Sequence, residues 1–363
     1  MADVISMKIV GVGGAGGNVV SRIKRSGMEG VGFACVNTDR SALAAVSAEE
    51  KLQIGERLTK GQGAGSRPEV GQMAADESKN AIVKLFEETD AVFLTAGLGA
   101  GTGTGASPVV AEAARSAGAL TIGVVTTPFS WEGARKRRTA EQGVRALLEQ
   151  VDTLFVIPNE NLRMVAEQKV SLSNAFAISD EILNRAVGGI ADLLRSTGFI
   201  NLDFADLKTI LRGSGLAHLG IGEASGKSKV EEAAAQVIRS ELMETGIAGA
   251  RRVIVNVTIS PDLPMDDVSA VMDRIQEAAH PDANIIFGMG FDEKMADALR
   301  LVVIATDFED ASGAGEEAPA AAPAKETRRS GGGRQERREA PSEAEQDTGV
   351  SGDDWQKIID TFF

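Results

Sequence analysis

Residues 97–108 read Gly-Leu-Gly-Ala-Gly-Thr-Gly-Thr-Gly-Ala-Ser-Pro, with an apolar run before them and a helix-like pattern after them. Glycine at every second position from Gly97 to Gly105 opens positive φ to the backbone and leaves its N–H groups unobstructed, while Thr102 and Thr104 add hydroxyl donors. Such a loop can wrap an anion without a lysine. The plainer reading is a glycine-rich turn that lets a helix pack close to a sheet. Both readings require a strand, a tight loop and a helix in succession, which directs the chain toward an α/β fold.

A second loop, Gly11-Val12-Gly13-Gly14-Ala15-Gly16-Gly17-Asn18, also follows an apolar run and opens a helix through Val20 and Ile23. Gly11, Gly13 and Gly16 match the dinucleotide fingerprint, in which glycines let backbone N–H groups approach a pyrophosphate at a helix N-terminus. Asp39, at the end of the next expected strand, stands where a nicotinamide enzyme places its ribose-binding acid. An oxidoreductase is therefore one reading, but it has no use for the Thr102/Thr104 loop. Two phosphate cradles imply a triphosphate. The lysine-bearing P-loop pattern is absent, so the chain is not a P-loop enzyme.

Strands buried on both faces read as nearly continuous apolar runs, and such runs occur at 7–12, 32–37, 91–96, 120–126 and 153–158, alternating with helical patterns. They predict a parallel-sheet nucleotide-binding domain over residues 1–170. Phe176, Ile178, Ile182, Leu183, Val187, Ile190, Leu193 and Leu194 fit one long helix within 171–200, interrupted at Gly188 and Gly189, that links two domains. A helix from Phe204, helices at 229–244 and 265–280, and strands at 252–259, 284–289 and 298–306 predict a smaller α+β domain over 201–308. Residues 309–349 contain no Val, Ile, Leu, Met or aromatic residue, so burial cannot offset the entropy of ordering them. They predict a disordered linker (309–351) with an end-to-end distance on the order of 35 Å. In the final stretch, 352–363, Trp355, Ile358, Ile359 and Phe362 share one helical face, as in a short partner-binding peptide. The same peptide could instead dock on its own domain.

Charge and composition narrow the function. With 52 acidic and 38 basic residues the net charge is -14, which repels a polyanion and argues against nucleic-acid binding. Two histidines far apart, His218 and His280, leave little from which to build a zinc hydrolase or a Ser-His triad. Cys35 lies in an apolar run and reads as a small buried hydrophobe in a reducing, cytosolic protein. No window of 18 uncharged apolar residues occurs, so direct membrane insertion is not expected.

The stretch 99–107 resembles the signature of the tubulin/FtsZ family of GTPases. The stretches 11–18, 37–39, 61–71 and 126–133 are similar to its cell-division branch in order and spacing, over about residues 7–308. The resemblance implies a GTPase with GTP/GDP and Mg²⁺ as substrate, product and cofactor. It places the phosphates against Gly13, Gly14, Ala15, Gly16, Gly17, Asn18 and against Gly99, Ala100, Gly101, Thr102, Gly103, Thr104. It places the ribose at Glu132 and the base near Phe176 and Asp180. Phe176 offers a face for a purine, although core packing is its plainer reading, and Asp180 one turn later can accept two N–H donors that guanine has and adenine lacks. Lys136 stands where the family usually has Arg, and Glu181 where related chains often carry Asn or Asp.

Asn201-Leu202-Asp203-Phe204-Ala205-Asp206 resembles the family's catalytic loop, which implies roles for Asn201, Asp203 and Asp206. On spacing alone the plainer reading makes Asp203 an N-cap and Asp206 the third residue of its helix, and only the resemblance points to chemistry. Hydrolysis of a γ-phosphate needs an oriented water and charge neutralisation. Carboxylates can supply the first, and an Mg²⁺ that keeps most of its waters the second. The resemblance further implies head-to-tail filaments in which each copy's acids act on its neighbour's nucleotide. It also implies a cytoplasmic, mid-cell location and division or membrane-anchor proteins as partners of the tail. A non-enzymatic scaffold is the competing reading, against which the intact Asp203 and Asp206 stand.

Overall fold

Apolar runs without polar alternation need cover on both faces, and here they receive it. A computed structural model describes residues 5–161, 171, 174–195, 199–200, 202–240, 246–261, 264–292 and 295–308. Strands β1 (Met7–Val12), β2 (Gly32–Asn37), β3 (Glu50–Gln53), β4 (Ala91–Gly97), β5 (Leu120–Thr127), β6 (Thr153–Pro158) and β7 (Gly215–Leu216) form one parallel sheet in the order β3-β2-β1-β4-β5-β6-β7. Alternate residues feed opposite cores. Ile9, Phe93, Ile122 and Phe155 face one cluster, whereas Val10, Leu94, Val125 and Leu154 face the other.

Helices α1 (Gly13–Arg25), α2 (Arg40–Ala45), α3 (Glu56–Thr59), α4 (Pro68–Glu77), α5 (Lys79–Lys84), α6 (Thr102–Ser116) and α7 (Ala134–Leu148) punctuate this sheet. The long helix follows as α8 (Ala175–Arg195), continuous through Gly188 and Gly189 where an interruption was expected. Each glycine costs about 1 kcal/mol of helix propensity relative to Ala. Burial explains the continuity: Leu183, Val187 and Ile190 pack with Ile122 and Phe155 of the first sheet and with Leu219, Val302 and Ile304 of the second. Then come α9 (Phe204–Leu211), α10 (Lys229–Ile238) and α11 (Met265–Ala278).

The second sheet contains β8 (His218–Ser225), β9 (Ala250–Ile259), β10 (Asn284–Phe291) and β11 (Ala298–Phe308) in the order β10-β9-β11-β8. β9 and β10 run parallel, and β11 is antiparallel to β9 and β8. The chain after α8 first returns to the opening sheet. α9 buries Leu207, Ile210 and Leu211 in its core, and β7 pairs with the start of β6 through Thr153–Gly215 and Leu154–Leu216. The helix expected over 229–244 ends at Ile238, with Arg239 as its C-cap, and Asn201 and residues 309–363, with the linker and the tail peptide, lie outside the described residues. Among the described residues no helix is long and apolar enough to cross a membrane.

Candidate nucleotide site

β1 and β4 lie side by side in register from Met7↔Ala91 to Val12↔Ala96, so the two glycine loops leave the sheet at the same edge. Neither following helix carries a side-chain cap or an acid in its first turn: Val12 precedes α1 and Gly101 precedes α6. Their leading N–H groups therefore present donors and positive dipole ends to that edge. The loops touch. Gly13 has φ +74°, and a Cβ there would lie 2.9 Å from Gly103 N.

The glycines divide into two kinds. A Cβ on Gly16 would lie 2.3 Å from Thr95 O and one on Gly103 2.5 Å from Gly97 O, so these positions let backbones meet, and one on Gly17 would lie 2.8 Å from Val46 Cγ1, so Gly17 makes room for that side chain. A Cβ on Gly14 would meet nothing within 4 Å. Gly14, Ala15, Ala100, Gly101, Thr102 and Gly103 line a cleft of about 340 Å³. Its third wall is Gly63, Ala64 and Ser66, which individual residue reading missed although the Gly61-x-Gly63-x-Gly65 alternation marks the segment.

Thr104, expected to donate to the anion, does not line the cleft. It is buried, and its Oγ1 accepts a hydrogen bond from Gly99 N–H at 2.9 Å, consuming that N–H as well. The reason is its position inside α6, facing Gly143 of α7 rather than the helix end. Thr102, at the first helical position, does face the cleft, and its hydroxyl lies 2.6 Å from Thr38 Oγ1. Asp39 Oδ1 accepts from Ala42 N–H at 2.9 Å as the N-cap of α2. That employment accounts for the acid without a nicotinamide cofactor.

A second cavity of about 520 Å³ adjoins the first, sharing Gly14, Asn37 and Ala42, and is lined also by Asn18, Ser21, Arg22, Arg25 and Asp180. Burial pushes the Asp180 carboxyl up to about 6, with Arg22 pulling partly the other way. Arg22, one turn beyond Asn18 on α1, was not foreseen; only its helical spacing from Asn18 signals it.

Phe176, one turn before Asp180, does not pack as an ordinary core residue. It is 51% exposed and meets Phe129 and Trp131 edge-on, each at 6.0 Å between ring centroids. Phe129 and Trp131 stack at 5.5 Å. Glu132 closes the turn beneath them, accepting from Phe129 N–H at 3.0 Å through Oε1 and pairing with Lys136 Nζ at 2.9 Å through Oε2. Neither Glu132, Lys136 nor Phe176 lines either cavity.

Asp203 and Asp206 stand elsewhere. Asp203 is the N-cap of α9, accepting from Ala205 N–H at 3.3 Å, and Asp206 lies in the first turn; both are exposed. α8 begins beside the nucleotide edge, where Ser179 Oγ donates to Asn159 Oδ1 at 2.7 Å just past the end of β6. Its 21 residues then carry the chain away by about 30 Å before the acids are reached.

The model of the tubulin/FtsZ family GTPase domain matches residues 6–167, and that of the FtsZ family C-terminal domain matches residues 215–309. Among solved structures, an FtsZ dimer from M. jannaschii is 39% identical, covering 84% of this chain and 88% of its own, with a TM-score of 0.78. CetZ2 from Haloferax volcanii, a GTPγS-bound protofilament, shares the fold at 22% identity over 84% of this chain and 94% of its own, with a TM-score of 0.70. Two glycine loops meeting at one sheet edge, a second sheet across a long helix, and these matches lead to one statement: the chain belongs to the tubulin/FtsZ family of GTPases.

Proposed function

We propose that this GTPase assembles head to tail into filaments of the cell-division type and hydrolyses GTP between successive subunits. The phosphates rest on the loops at Gly13–Asn18 and Ala100–Gly103, and Phe176 and Asp180 address the guanine. Glu132 and Lys136 serve the ribose side. Asp203 and Asp206 of one copy, with Asn201, orient the water that attacks the nucleotide of the next.

One observation carries this reading. Asp39 is the only acid among the described residues lining the phosphate cleft, and it caps a helix, whereas the exposed acids of α9 lie a helix length away. A subunit thus holds donors for a triphosphate at one end and acids able to orient water at the other. A contact between unlike ends repeats into an open filament. Mg²⁺ fits the cleft: Asn37, Asp39, Ser66 and Thr102 supply oxygens there, and a cation held mainly by phosphates and water needs few more. When bound, it neutralises phosphate charge.

We further infer a cytoplasmic role at the division site, with Trp355, Ile358, Ile359 and Phe362 engaging a division or membrane-anchor protein. Sedimentation with GTP, GDP and a non-hydrolysable analogue, alongside phosphate release across protein concentrations, tests the central claim. Pelleting with the two triphosphates and turnover per subunit that rises with concentration are expected. Full turnover by subunits too dilute to meet would overturn it.

A further inference from the structure

The segment bearing Asp203 and Asp206 is held by the second sheet as well as by α9. Ile200 forms an antiparallel bridge with Met289: its N–H donates to Met289 O at 3.1 Å and its carbonyl accepts from Met289 N–H at 3.0 Å. β10 is the outer strand of its sheet, so these bonds occupy backbone groups on a free edge. Beside them the Phe199 and Phe291 rings lie 5.3 Å apart.

Leu202 rests directly on Gly288. A Cβ at Gly288 would lie 2.7 Å from Leu202 Cγ, 2.9 Å from its Cδ1 and 3.1 Å from Asn256 Oδ1. Carbon atoms pack at about 3.5–4.0 Å, so a methyl group there would displace Leu202 by about 1 Å. Gly288 has no positive φ that would demand glycine for the backbone. Its lack of a side chain serves the seat of Leu202. Leu202 Cγ is one bond from its Cβ, so displacement passes to the backbone and to Asp203, the next residue and the cap of α9.

We propose that Gly288 and Met289 on β10 form a clamp that sets the position of Asp203 and Asp206, with Gly288 a positioning residue for hydrolysis that acts through Leu202. The inference rests on the reading of those two acids given above. A catalytic group misplaced by 1 Å loses on the order of a hundredfold in rate. The clamp should therefore govern turnover while leaving the nucleotide cleft, at the other end of α8, untouched.

The test compares full-length Gly288→Ala, Gly288→Ala/Leu202→Ala and Asp206→Ala. For each, phosphate release is measured across GTP concentrations, pelleting with a non-hydrolysable GTP analogue, and GDP binding by dilute subunits. Gly288→Ala should lose at least about tenfold in maximal turnover, with half-saturating GTP, pelleting and GDP binding unchanged. The double variant should regain most of the loss, because removing the Leu202 side chain beyond Cβ frees the space that the new methyl takes.

Normal turnover by Gly288→Ala overturns the proposal. So does a loss that Leu202→Ala fails to relieve, or a failure to pellet, which would place Gly288 in assembly. A slow Asp206→Ala beside a normal Gly288→Ala removes the clamp alone, whereas a normal Asp206→Ala removes the reading of the acids and the clamp with it. If Gly288→Ala binds no GDP and so has not folded, Ile200→Pro, which deletes the N–H bonded to Met289 O, carries the same expectation and is overturned by a normal rate.

Discussion

In the proposed site, Asp180 sits where solvation and recognition of the base oppose each other. Burial disfavours its charge and raises the carboxyl from 3.8 to about 6, and Arg22 returns only part of that. To accept two N–H groups of guanine the carboxyl must be ionised, so protonation competes with nucleotide. GDP binding by dilute subunits should be flat above about pH 7 and weaken below pH 6, approaching tenfold for each further unit. Asp180→Asn should bind more weakly at pH 7.5 and lose this dependence. The sign for folding is the reverse: the native state holds the proton more tightly than the unfolded chain. Asp180 thus adds stability as pH falls from about 6 toward 3.8, relative to Asp180→Asn. Calorimetric titration from pH 5 to 8 checks the binding arm, and a variant with undiminished pH dependence would show that the titrating group lies elsewhere.

At the scale of elements, the loop after β1 combines two jobs that sequence spacing merges. Gly16 is glycine because Thr95 O comes within 2.3 Å of where its Cβ would be, while Gly14 faces open cleft. Gly16→Ala should destabilise the fold by about 1–3 kcal/mol, read as a lower urea midpoint. Gly14→Ala should leave the midpoint in place and weaken GDP binding. The same distinction marks what was legible beforehand. β1, β2 and β6 have the expected bounds because buried parallel strands are written as unbroken apolar runs. β8 escaped because Gly220 and Gly222 look like breakers, yet a Cβ on either would strike Val237 O or Ala233 O at 2.6 and 2.4 Å, so they let α10 lie against the strand. β3 and β7 are too short to show a period. In the site, the loops and α9 cap were readable from residue type and spacing. The retreat of Thr104 behind Gly99 was not, because only packing against α7 decides which hydroxyl turns inward.

For the whole molecule the question is which subunit's acids serve which nucleotide, and the separation of the ends makes it answerable by mixing. Asp206→Ala keeps an intact cleft, since α9 lies a helix length from the glycine loops. Gly14→Leu fills the cleft, the direction in which a side chain has room, while keeping Asp203 and Asp206. Each alone should hydrolyse little GTP. A contact needs one nucleotide, so a loaded Asp206→Ala copy can still dock on the acid-bearing end of a Gly14→Leu copy. In an equal mixture half of the contacts that form pair a loaded copy with intact acids if association is random, and because only half of all copies hold nucleotide this should restore about a quarter of wild-type turnover. Phosphate release from the mixture, with both chains quantified in the pellet, checks it. Co-pelleting without recovered turnover would mean that each subunit's acids reach its own nucleotide, and that the filament orders the site rather than completing it.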